Sequence, residues 1–187
     1  MRSRTRMINR LVVIALLLAC TGIGAAAPLE PQIDEYRVKA AFLYNFARFI
    51  EWPPEVFQDP GDPLTICVLG RDPFGRVLDD VVAGKKLDGR AFAVRRISDP
   101  IQSGVCRILF VSSSEPKRTW SGLAQARKPG VLIVGEGAGS RDGGAIFTFT
   151  LEGDHVRFEI NTQAAELSNL RISSRLLSLA RSAASTH

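Results

Sequence analysis

From Asp34 to Glu51 the apolar residues recur at helical spacing, but Tyr36, Ala40, Leu43, Phe46 and Ile50 belong to an arc far wider than the stripe of a surface helix. Arg37, Asn45 and Arg48 mark the polar side, and Lys39 falls inside the apolar arc. A helix of this kind is buried on most sides or lends one apolar side to a partner. Trp52-Pro53-Pro54 ends it, because proline removes a backbone donor and disfavours helical geometry before it. The phenylalanines read as core. Tyr44, towards the polar side, and Trp52, at the helix exit, are the candidates for partner contact, since Tyr and Trp combine a large apolar area with a polar tip.

Three nearly continuous apolar runs follow, at Leu64–Leu69, Cys106–Val111 and Val131–Val134. Runs without alternation suit strands covered on both faces, as in a parallel sheet. Gly89–Ile97 reads as a further strand, and helices are predicted near Phe74–Val82 and Glu115–Ala126. The last third alternates instead. Ala145–Leu151 and His155–Ile160 flank the turn signal Glu152-Gly153-Asp154, which predicts an antiparallel hairpin. Residues from Ala164 onward are helical in two pieces that break near Arg171–Ser174, with Leu176, Leu179, Ala180 and Ala183 on the packed face. The fold class is therefore α/β: a central, mostly parallel sheet flanked by helices, with a C-terminal antiparallel hairpin and helices.

The first 27 residues read as a signal peptide, leaving 28–187 as a single domain. Arg2, Arg4, Arg6 and Arg10 precede the apolar run Leu11–Ala19, which is shorter than the roughly 20 residues a spanning helix needs. Small residues up to Ala27 offer the cleavage exit. Leu17-Leu18-Ala19-Cys20 also resembles a lipobox, in which case a lipid on Cys20 tethers the domain to a membrane. The reading adopted is the cleaved, soluble product. The chain has 24 basic and 19 acidic residues, and the leader holds four of the basic ones and none of the acidic. The high precursor charge is thus a targeting feature, and no concentrated basic surface remains for nucleic acid.

Candidate chemistry is sparse. A Ser–His–acid site would have to combine His155 with Ser112, Ser113 or Ser114, and no nucleophile elbow surrounds them. Neither a metal-ligand spacing nor a phosphate loop occurs, so no catalytic residue, metal or cofactor is assigned. Gly70–Gly75 reads as a strand-to-helix turn capped by Asp72. The glycine-dense stretch 135–144 follows a strand, where α/β proteins place ligand loops, so Glu136, Arg141 and Asp142 are its candidate ligand residues. A flexible connection into the hairpin is the alternative. Cys67 and Cys106, both in apolar runs, form either one disulfide or two buried thiols.

The stretch Val38-Lys-Ala-Ala-Phe-Leu-Tyr-Asn-Phe-Ala-Arg-Phe-Ile-Glu-Trp-Pro53 resembles the opening signature of the YfiR family of periplasmic proteins. Ile66–Gly70, Asp72–Gly75, Cys106–Ser112, Val134–Glu136, Gly143-Gly144, Arg157–Asn161 and Ile172–Ser174 continue the resemblance in order. It implies a periplasmic α/β protein, commonly a homodimer, that represses an inner-membrane diguanylate cyclase through its periplasmic sensor domain, lowering cyclic-di-GMP and biofilm formation. It also implies that Cys67 and Cys106 match a family cysteine pair, and it supplies no catalytic residue. Some members carry a further pair downstream, which this chain lacks. A periplasmic small-molecule receptor and a serine hydrolase are the rival readings.

Overall fold

The computed structural model describes residues 30–184. The leader and Cys20 lie outside the described residues. Helix α1 (Glu30–Ala47) ends four residues before the expected boundary, because Ile50–Glu51 (β1) leaves it to pair antiparallel with Arg171–Ile172 (β9). The stretch 35–48 is buried on most sides, with Arg37, Val38 and Arg48 as its exposed residues.

A seven-stranded sheet forms the centre. Its strands are β2 (Leu64–Leu69), β3 (Lys86–Leu87), β4 (Arg90–Ile97), β5 (Ile108–Val111), β6 (Leu132–Glu136), β7 (Phe147–Glu152) and β8 (His155–Ile160). The order is β3-β4-β2-β5-β6-β7-β8. The middle five are parallel, and β3 and β8 join antiparallel at the two ends. Taken in chain order, the parallel strands run 2-1-3-4-5, a doubly wound arrangement whose switch point lies between β2 and β5. The hairpin takes the expected register, with Phe149 opposite Phe158 and Leu151 opposite Val156.

Alternate residues of each parallel strand face opposite layers. Ile66, Val68, Ile108, Phe110 and Val134 face α1, helix α2 (Val77–Val82) and the C-terminal segment, with Phe46 stacked on Phe147 at 4.3 Å. Cys67, Leu69, Leu109, Val111 and Ile133 face helix α3 (Lys117–Gln125) through Trp120 and Leu123. Double coverage explains why these strands lack alternation in sequence.

A second helix boundary also differs from expectation, while the C-terminal break falls where expected. The helix expected from Phe74 starts at Val77, because Gly75 takes a left-handed φ of +53° that interrupts it. Asp72 caps the preceding turn instead, accepting from the Phe74 N–H at 2.8 Å. The break in the C-terminal helix is β9 itself, between helices α5 (Thr162–Leu167) and α6 (Ser174–Ala184). Leu176 is buried as expected, whereas Leu179 is 52% exposed.

Candidate functional site

The ligand crevice of a doubly wound sheet lies at the carboxyl ends of its strands. Here the chain fills it. A Cβ placed on Gly70 would lie 2.6 Å from Glu115 Oε1 and 2.9 Å from Ser114 Oγ, so these side chains close directly over the end of β2. The Arg71 N–H donates to Ser114 Oγ at 3.0 Å, and Ser114 Oγ and Ser112 Oγ are hydrogen-bonded at 3.2 Å.

Glu136, at the end of β6, sits in a buried cluster rather than in a free loop. Lys39 Nζ donates to its Oε2 at 2.6 Å, the Tyr36 hydroxyl reaches both carboxylate oxygens at 3.3 Å, and the Ser113 N–H donates at 3.2 Å. Lys39 is also ion-paired with Glu35 one turn back. Burial, then the Glu136 and Glu35 charges, push the Tyr36 hydroxyl pKa upward and keep it a donor. A lysine inside an apolar arc is the sequence signal for this cluster. Its partner lies 97 residues away, beyond the reach of spacing arguments.

The glycine-dense segment is a short helix, α4 (Gly137–Asp142), rather than a loop. Its glycines serve contact more than flexibility. A Cβ on Gly135 would collide with the Trp120 ring, and one on Gly143 would lie 2.5 Å from Trp120 Cβ. Arg141 pairs with Glu159 of β8 at 2.7 Å, and Asp142 is exposed at the helix end. Glu136, Arg141 and Asp142 therefore do not converge on one point. His155 is exposed beside the hairpin turn, and Ser112 and Ser114 bond each other.

Cys67, in mid-β2, and Cys106, just before β5, are joined by a disulfide with Cα atoms 5.7 Å apart. Both are fully buried in the layer under α3.

The two aromatic candidates occupy different surroundings. Tyr44 lies 5.2 Å from Phe92 in ring centroids, and Lys85 Nζ caps its ring at 4.1 Å, so it is a partly covered core margin. Trp52 lines a groove of about 630 Å³ with Glu51, Pro54, Glu55, Glu166 and Arg171. Its indole N–H is buried and has no hydrogen-bond partner among the described residues. Buried donors are nearly always satisfied, and an orphan one is costly. The groove rim holds three carboxylates against one guanidinium, and β1 and β9 form its wall.

Among the described residues no helix is long and apolar enough to cross a membrane. No curated protein matches the chain significantly. The family model described as YfiR/HmsC-like matches residues 36–181, a span that holds the α1 aromatic face, all nine strands and the disulfide. The chain belongs to the YfiR/HmsC-like family.

Proposed function

We propose that this protein is a periplasmic regulator that binds the sensor domain of an inner-membrane diguanylate cyclase and holds cyclic-di-GMP synthesis down. The observation that carries this reading is the family match over residues 36–181. The filled crevice over β2 and the internally neutralised Glu136 support it further, because they suit action through an outer surface better than turnover in a cleft. Residues 1–27 act as the export signal and 28–187 as the working domain, which functions as a homodimer without a catalytic residue.

Repression is differential binding. The domain shifts the cyclase only by holding its inactive state more tightly, by about 1.4 kcal/mol for each tenfold effect. The Trp52 groove is one contact surface, its carboxylates and the Trp52 ring offering charge and apolar area to the sensor domain. The Cys67–Cys106 bond keeps the layer beneath α3 rigid and favours the bound state.

Deleting the gene raises cyclic-di-GMP in the producing bacterium, and the tagged protein recovers a diguanylate cyclase from solubilised inner membranes. An unchanged nucleotide level together with no recovered cyclase removes the reading.

A further inference from the structure

Hydrogen bonds alternate sides along a parallel strand. The Gly70 N–H donates to the Ile97 carbonyl at 3.3 Å, which fixes the odd residues of β4 as facing β2. The even residues face outward, and Phe92 uses that side to donate to the Lys85 carbonyl. β3 pairs only with Arg90 and Ala91. The outward peptide groups of Val94 and Arg96 consequently have no partner strand among the described residues.

Beside this bare stretch lies a groove of about 500 Å³ lined by Arg95, Arg96, Ile97, Gln102 and Val105. The 3₁₀ turn Pro100–Val105 carries Ile101, 80% exposed, and Val105, 49% exposed. Charged residues on an edge ordinarily discourage pairing. Here Arg96 is drawn away by ion pairs to Asp72 and Asp79, while the exposed Val105 lines the groove alongside. That is the reverse of a guarded edge. Arg95 is exposed on the same face of the strand as Ile97 and has no acidic partner among the described residues.

We propose that β4 is a docking edge for an extended segment of the protein partner, one that carries an acidic residue two positions from an aliphatic one. The segment adds to the sheet beyond β4, its main chain bonding the Val94 and Arg96 peptide groups. Side chains two apart on a strand share a face, so the carboxylate meets Arg95 as the aliphatic group enters the groove at Ile97 and Val105. This deepens the protein-binding reading above and rests on it.

The probe is the blocked peptide Thr-Glu-Thr-Val-Thr-Glu-Thr-Val, with lysine replacing glutamate in the control, added to the mature protein purified from the cell envelope. The acidic peptide slows hydrogen exchange at the Val94 and Arg96 amides by about tenfold or more, and the basic peptide does not. Val94→Pro removes the outward donor and weakens acidic-peptide binding about tenfold, the equivalent of one lost contact of about 1.4 kcal/mol. Arg95→Glu, on the exposed face, reverses the preference towards the basic peptide and keeps the test alive should the proline variant misfold. Unslowed amides, or equal binding of the two peptides, overturns the proposal. So does protection present without peptide and lost on dilution, which gives the edge to a second copy of the chain. If Arg95→Glu represses cyclic-di-GMP as well as the unaltered protein does, the edge fails and the regulatory reading stands. If the unaltered protein does not repress, that reading itself fails.

Discussion

The carboxyl ends of the parallel strands and the groove beside β1 and β9 solve opposite problems. At the strand ends, Lys39, Glu35, Tyr36, Glu136 and the Ser113 N–H satisfy one another, and Ser114 and Glu115 cover Gly70. At the groove, a buried indole N–H has no acceptor among the described residues, and three carboxylates face one arginine. A region whose polar groups are all paired internally gains nothing from a ligand. A region with unbalanced charge at its rim gains on binding a partner of complementary charge. The place where doubly wound folds usually bind is here closed by the chain's own side chains, and the groove proposed above for recognition lies instead beside an element of two residues per strand.

The largest effect expected is at the closed region. Lys39→Met keeps the apolar stem but leaves the Glu136 carboxylate buried beside Glu35 without its cation. Breaking one side of a buried pair costs about 3–5 kcal/mol. The urea midpoint falls accordingly at constant m-value, and Lys39→Met with Glu136→Gln recovers part of the loss because the buried charge is then gone. A midpoint within about 0.5 kcal/mol of the original would show that the cluster is hydrated and would erase the contrast drawn above.

Next in size is the disulfide. Cys67 and Cys106 close a loop of 39 residues, worth about 4 kcal/mol in the chain-entropy model. Replacing both by Ala lowers stability by roughly 2–4 kcal/mol, since native strain and residual structure reduce the ideal figure. Thermal unfolding with and without reductant measures it. Two transitions that coincide would mean that the bond does not form in the purified protein.

Legibility followed the range of the interactions. Continuous apolar strands, the hairpin register and a wide buried arc on α1 are local patterns, and each is present in the fold. Glu136 stood out in the sequence for its position after a strand, yet its partners Lys39 and Tyr36 are 97 and 100 residues away. The glycines of 135–144 suggested flexibility because composition does not record what approaches a missing Cβ. Trp120 is that neighbour. The β1–β9 pair has two residues in each strand, too few for any periodicity, so the groove wall leaves no sequence pattern although Trp52 within it stands out. The disulfide pairing came from family resemblance, since spacing alone left two free thiols equally open.

A smaller effect is expected at Asp79. Its hydrogen bond with the Arg96 guanidinium holds the carboxyl below the usual carboxylate range. A depressed folded-state value contributes stability above the ordinary range, which is lost as pH falls below about 4. The side chain is 45% exposed, so the contribution is under about 1 kcal/mol after screening. Asp79→Asn therefore lowers the denaturation midpoint slightly at pH 7 and not at pH 3. An equal loss at both values would assign the effect to packing and not to charge.

The smallest change in stability is also the sharpest test of the comparison, and it comes from Trp52→Phe. The substitution keeps most of the aromatic area against the core cluster and deletes a buried side-chain donor that has no acceptor among the described residues. An unsatisfied buried polar group costs roughly 1–3 kcal/mol, which offsets much of the packing lost with the smaller ring. Net stability therefore moves by less than about 1 kcal/mol in either direction. With the groove as the proposed contact surface, recovery of the cyclase from membranes falls, because the indole's area and shape are lost from its lining. Lys39→Met should do the reverse, weakening the fold while sparing partner capture by the molecules that remain folded. If Trp52→Phe instead destabilised the domain by more than about 2 kcal/mol and left capture unchanged, the indole would be an ordinary core residue. The groove would then have no claim to recognition, and the two regions would differ in location but not in purpose.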